Sequence, residues 1–237
     1  MKPYYERDGV ALYHADYREV LPSLAPQSVD LVLTDPPYST ATHSGARTGA
    51  RGEDATLIPF ASFTFDDLRT ALGACGALAR RWVVTFSDWR HVGPLVDETP
   101  EHLRFVRFGV WVKPNGAPQF TGDRPAQGWE ALTFWHREGV KLRWHGRGRS
   151  SVWTVPKVHR NQHPTQKPLP LLADLVRLFS DPGDLVLDPF AGSGSTLVAA
   201  LSEGRQALGV EMDERYCEIA AKRLEATQTP LVAQEAA

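Results

Sequence analysis

Apolar residues in this chain fall into two kinds of run. Compact stretches at 10–14, 29–34, 82–86, 105–112, 131–135, 184–187 and 206–210 read as strands. Between them lie stretches with helical spacing, at 17–24, 67–80, 168–180 and 197–201. In the third of these, Leu171, Leu172, Leu175, Val176 and Phe179 form one apolar stripe. Strands interleaved with helices predict an α/β fold, a mostly parallel sheet covered on both faces. Such sheets bind ligands beyond the carboxyl ends of their strands. Asp16, Asp35, Asp188 and Glu211 all fall at or just after predicted strand ends, so one cleft can collect all four.

Two motifs carry candidate chemistry. Asp35-Pro36-Pro37-Tyr38 follows the run at 29–34. The prolines lack N–H groups, so this loop offers acceptors, the Asp35 carboxylate and backbone carbonyls, on a nearly fixed backbone. That cradle suits an amine, and the Tyr38 ring offers a face for stacking a base. An ordinary turn after a strand is the competing reading. The second motif, Asp188-Pro189-Phe190-Ala191-Gly192-Ser193-Gly194-Ser195-Thr196, again joins a strand-like run to a helix-like one. Its glycines let a ligand approach the backbone, and the helix behind it presents N–H groups. A triphosphate-binding loop would end in Gly-Lys-Ser/Thr, and no lysine is present; a dinucleotide fingerprint would place a third glycine at Leu197. S-adenosylmethionine fits better, because it carries no phosphate but does carry a ribose diol. Glu211 stands at about the roughly 20-residue separation expected of a ribose-binding acid, although a solvated strand-end glutamate would look the same.

With both motifs in place, the chain resembles the S-adenosylmethionine-dependent DNA amino-methyltransferases, in the permuted class where D-P-P-Y precedes F-x-G-x-G. His163-Pro164-Thr165-Gln166-Lys167-Pro168 resembles the H-P-T-x-K-P segment of that class, which helps hold the methionine end of the cofactor. The runs 110–115 and 130–135 resemble its middle region, so the likeness extends from about Tyr13 to about Leu224. The resemblance implies a Rossmann-like fold with a seven-stranded sheet. It implies Asp35, Pro36, Pro37 and Tyr38 as catalytic residues. For cofactor binding it implies Asp16, Asp35, Thr165, Lys167, Asp188, Phe190, Ala191, Gly192, Ser193, Gly194, Thr196, Glu211 and Met212. Asp16 resembles the acid near the cofactor adenine, and it can equally cap the helix at 17–24.

The bulk properties agree with one domain over residues 1–237. Cys75 and Cys217 lack the spacing of a disulfide framework or a zinc site, and no metal is expected. No apolar stretch approaches a membrane span and no signal peptide is evident, so a cytoplasmic setting without membrane contact is expected. A net charge of −2 means that DNA must be met by a local basic surface. Two segments are candidates: 39–59, with Arg47 and Arg51, and 137–160, with Arg143, Arg147 and Arg149 interleaved with Trp144 and Trp153. A solvated loop or an oligomer contact is the plainer reading of the second. The tail at 226–237 has no strong pattern and reads as flexible.

Carbon methylation of cytosine would need a cysteine nucleophile, typically after a proline, and neither Ala74-Cys75 nor Tyr216-Cys217 supplies it. The expected product is therefore an N-methylated base. D-P-P-Y resembles the N6-adenine enzymes, with N4-cytosine as the alternative, because those enzymes tend to carry serine at the Asp35 position. Methyltransferases acting on protein glutamine or RNA usually carry asparagine there and place the glycine motif first. A degenerate methyltransferase serving only as a DNA-binding module is a further alternative, which the intact motifs oppose. The resemblance also admits a homodimer and a cognate restriction endonuclease as partners.

Overall fold

The computed structural model describes residues 1–37, 63–158 and 166–227. One sheet organises them, built from β1 (Tyr5–Arg7), β2 (Val10–His14), β3 (Val29–Thr34), β4 (Ala79–Ser87), β5 (Leu103–Val112), β6 (Trp129–Arg137), β7 (Val152–Thr154), β8 (Leu185–Asp188) and β9 (Gln206–Glu211). Side by side the order is β1-β2-β9-β8-β3-β4-β6-β5-β7. The central run from β2 to β4 is parallel throughout. β6 lies antiparallel between β4 and β5, β1 is antiparallel at one edge, and β7 pairs parallel with β5 at the other. The sheet is thus mostly parallel as expected, with nine strands where seven were expected. The two additions, β1 and β7, are edge strands of three residues each, too short to show a period.

Helices cover both faces. α1 (Tyr17–Val20), α2 (Phe65–Leu78) and α3 (Trp89–Asp97) pack on one side, where Leu72, Cys75 and Leu95 meet Val32, Val83 and Trp135. α4 (Leu169–Phe179), α5 (Ser195–Ser202) and α6 (Glu214–Glu225) pack on the other, where Leu175, Leu197 and Ala220 belong to one core with Leu31, Leu33 and Phe86. Every residue of β3 is buried, as a strand covered on both faces requires. The stripe predicted on α4 is buried in full. Along α2, the Thr64 side chain accepts from Asp67 N at 3.1 Å and Asp67 Oδ2 accepts from Thr64 N at 2.8 Å. This capping box sets the helix start ahead of the expected residue 67, and β4 begins as the helix ends.

The strand order reverses between β8 and β3. From β8 the chain proceeds through α5 to β9, and from β3 through α2 to β4 on the opposite side. Two connections leaving neighbouring strands in opposite directions open a crevice at their carboxyl ends. At the far edge, Gly109 of β5 allows β7 to approach. A Cβ there would stand 2.6 Å from the Ser151 carbonyl oxygen and 2.8 Å from the Phe134 ring. Gly109→Ala is expected to destabilise the fold by about 1–3 kcal/mol through overpacking. The check is the urea denaturation midpoint, and an unchanged midpoint would show that β7 yields without cost.

Candidate active site

The two motifs meet at the reversal point. β3 and β8 pair with Leu31 beside Val186 and Val32 beside Leu187, which brings their carboxyl ends together. Thr34 Oγ1 donates to Asp188 Oδ1 at 2.7 Å, joining the residue before Asp35 to the first residue of the glycine motif. Pro36 is buried and Pro37 half-buried behind Asp35. Tyr38 lies outside the described residues, as do Thr165, Arg47, Arg51 and the whole 39–59 segment.

Asp188 is buried. Burial pushes its carboxyl up to about 6, against hydrogen bonds from Thr196, Thr34 and the Phe190 N–H. The loop then folds tightly: Ala191 N donates to Val210 O at 2.9 Å, and Gly194 N donates to Ala191 O at 2.8 Å. Gly194 has φ +75°, and a Cβ on it would sit 2.8 Å from Ala220 Cβ on α6. Only glycine satisfies both the backbone and the packing here. Phe190 leans on Tyr17 and Phe63, with ring centroids 4.9 and 5.5 Å away.

Glu211 closes the opposite wall. Its Oε2 accepts from Gly192 N and its Oε1 from Asp213 N, each at 2.8 Å. The carboxylate has acceptor capacity beyond these two bonds, which suits a ribose hydroxyl. Burial raises the Glu211 carboxyl, and these N–H groups oppose the rise. Asp16 caps α1 by accepting from Arg18 N at 2.8 Å, and Arg18 holds its carboxyl below the usual range. It also borders Glu211, because Ala15 N donates to Glu211 O at 3.0 Å. Met212 stands exposed beside them, its carbonyl 3.0 Å from His14 Nε2. An acceptor for a ribose hydroxyl, an apolar rim and a glycine turn that lets a ligand close on the backbone fit S-adenosylmethionine.

A family model described as DNA methylase, covering the N6/N4 methyltransferases, matches residues 29–222. The chain belongs to this DNA methylase family. It is similar to the Type II methyltransferase M2.DpnII of Streptococcus pneumoniae, 29% identical over 95% of this chain and 93% of that protein. Among solved structures it is similar to TTHA0409 of Thermus thermophilus, a putative DNA modification methylase complexed with S-adenosyl-L-methionine. That likeness has 27% identity, a TM-score of 0.66, and coverage of 92% of this chain and 94% of that one. The M1.HpyAVI–SAM complex shares the fold, with a TM-score of 0.70 at 24% identity over 91% of this chain and 99% of that one.

Three side chains of the methylase's site were not singled out by its sequence. Lys167, expected toward the methionine end of the cofactor, directs its Nζ to Asp35 Oδ2 and lies 3.3 Å from Glu130 Oε2. Lys113 Nζ donates to Glu130 Oε1. Both Glu130 and Lys113 lie in runs that resemble the family, yet nothing in their spacing assigns them a contact. On the cofactor side, Arg223 of α6 donates to Ser193 Oγ and Ser195 Oγ, each at 2.9 Å, bracing the glycine loop from behind. The two thiols take no part: burial pushes both Cys75 and Cys217 up to about 12, leaving them un-ionised.

The 137–160 arginines are placed elsewhere. Arg143 ion-pairs with Asp181 at 2.8 Å, and its carbonyl accepts from Trp82 Nε1 at the amino end of β4. Arg147 is exposed in the same turn, its carbonyl accepting from Trp144 Nε1 at 2.8 Å. His145 N donates to Leu178 O at the end of α4 remote from Lys167. This turn therefore lies at the opposite edge of the sheet from Asp35, and the structure does not bring Arg143 or Arg147 to the cleft. Arg149 is engaged with Asp174 at 2.7 Å, part-way along α4. Trp153 is buried, with its Nε1 on Asp174 Oδ2 at 2.8 Å, and Trp144 packs on Phe179; both rings serve the core.

The Asp188 environment gives a signed pH dependence. Its folded value, about 6, lies above the ordinary aspartate value of about 4, so folding takes up a proton between the two. This contribution makes stability fall as pH rises through that window. Asp188→Asn keeps an acceptor for Thr34 and removes the titration. Urea midpoints from pH 4 to pH 7 are expected to favour the variant increasingly relative to wild type, and parallel profiles would refute the assignment.

Proposed function

We propose that this DNA methylase transfers the methyl group of S-adenosyl-L-methionine to N6 of adenine in DNA. The observation that carries the reading is the Thr34–Asp188 hydrogen bond, which sets the Asp35 cradle directly against the glycine loop. The exocyclic amine of a base is a poor nucleophile because its lone pair is delocalised into the ring. Hydrogen bonds from that amine to the Asp35 carboxylate and the Pro36 carbonyl favour a pyramidal nitrogen with its lone pair directed outward. Glu211, Asp16 and the loop from Phe190 to Gly194 would hold the cofactor, which supplies an electrophilic methyl carbon when bound. Alignment of the two then allows direct transfer without a covalent enzyme intermediate. The amine becomes acidic once alkylated, so Asp35 need only orient it and accept a proton late.

Adenine is preferred because the acid of the cradle is aspartate. The likeness to Type II methyltransferases supports a cytoplasmic enzyme acting opposite a cognate restriction endonuclease, and the homodimer implied by the sequence resemblance accompanies that reading. DNA contact through Arg47, Arg51 and Tyr38, which follow Asp35 closely in sequence, is part of the same proposal.

Asp35→Ala is expected to lower the single-turnover methyl-transfer rate by at least about 10²–10³ at saturating cofactor. Near-normal turnover would remove Asp35 from its role. Mass analysis of nucleosides from DNA treated with the wild-type enzyme is expected to yield N6-methyladenine. Finding only N4-methylcytosine would overturn the choice of base and leave the cradle mechanism standing. A chain that merely binds DNA would show no saturable uptake of cofactor in calorimetry.

A further inference from the structure

Behind Asp35 the carboxyl edge of the sheet carries a line of alternating charges. Lys167, just before α4, donates to Asp35 Oδ2 and lies 3.3 Å from Glu130 Oε2; Lys113, just after β5, donates to Glu130 Oε1. The four groups come from separate parts of the chain, and Trp111 pairs with Glu130 across β5 and β6 to fix the far end. The Lys167 side chain is only 6% exposed. Its ammonium also rests 4.8 Å from the Phe86 ring centroid, and that of Lys113 lies 4.9 Å from Trp111. Charges this withdrawn from water are retained only when paired, and removing one partner leaves the next uncompensated. Burial alone would raise Glu130 and lower Lys167, and the neighbouring opposite charges outweigh it in both. Among the described residues, these two carboxylates and two ammonium groups sum to zero.

We propose that Glu130, acting through Lys167, is a positioning residue for methyl transfer, and that Glu130 and Lys113 together hold the Asp35 wall of the cleft at zero net charge. The inference rests on the methyl-transfer reading above. By sharing the Lys167 ammonium between two carboxylates, Glu130 fixes where that ammonium points. The orientation of the Asp35 carboxylate toward an incoming amine is set with it. Charge neutrality matters because the donor's sulfonium is positive, whereas the demethylated product is a neutral thioether. A wall of net positive charge would favour the product over the donor, and a wall of net negative charge would do the reverse. Asp188 is unchanged in all of the variants below and cancels from the comparison.

The test uses the full chain and calorimetric dissociation constants for S-adenosylmethionine and S-adenosylhomocysteine, two ligands that differ at sulfur by one charge. Glu130→Gln keeps shape and one acceptor oxygen but leaves the cluster one unit positive; Lys113→Met keeps length and leaves it one unit negative. The donor-to-product affinity ratio is expected to fall in the first and rise in the second, by about three- to tenfold each for charges screened at this depth. The double variant, again neutral, is expected to return to the wild-type ratio and to recover much of the single-turnover rate lost in each single variant. Ratios that stay unchanged, or that move in the same direction in both single variants, would overturn the proposal, since loss of packing has no sign. Failure of the wild-type chain to bind either ligand would instead overturn the methyl-transfer reading beneath it.

Discussion

The pairing of β3 with β8 is the constraint on which the rest of the molecule depends. These strands begin at residues 29 and 185, and they lie side by side only because their neighbours unwind in opposite directions, β4 from one and β9 from the other. At their carboxyl ends a threonine hydroxyl and a buried carboxylate close the seam. The carboxylate is expensive to bury, as its raised titration shows, and three hydrogen-bond donors offset part of that cost. The Asp35-Pro36-Pro37 acceptors on one side and a glycine turn on the other are then held in register by sheet geometry.

Much of this was legible in the residue pattern. β2 was bounded correctly, as Val10–His14, because a short apolar run flanked by polar residues has no other use. The α4 stripe was found for the same reason, since its apolar residues return to one face at helical spacing. β1 and β7 were not found: three residues cannot show a period. α3 escaped because among its residues only Leu95 is buried, so there is no stripe to detect.

The site divides in a similar way. Asp35, Asp188, Gly194 and Glu211 announce themselves through local chemistry, an acid at a strand end or a glycine in a turn. Glu130, Lys113 and Arg223 do not, because their roles arise from contacts that span the chain: Lys167 reaches both Asp35 and Glu130. The arginine-rich stretch at 137–160 shows the converse. Its composition promised a nucleic-acid surface, but Asp174 and Asp181 on the neighbouring helix and turn engage two of its guanidinium groups, and the core absorbs its tryptophans. Charge can be counted along a sequence, whereas the edge of a sheet on which it emerges cannot.

The neighbour relations of β2 carry a consequence for how the molecule comes into being. This early strand pairs on its inner side with β9, synthesised almost two hundred residues later, and Arg7 of β1 reaches Glu225 of α6 at 2.7 Å. The donor's pocket therefore acquires both walls only where residues 7–14 and 206–225 have met, so no short stretch of the chain can form it alone.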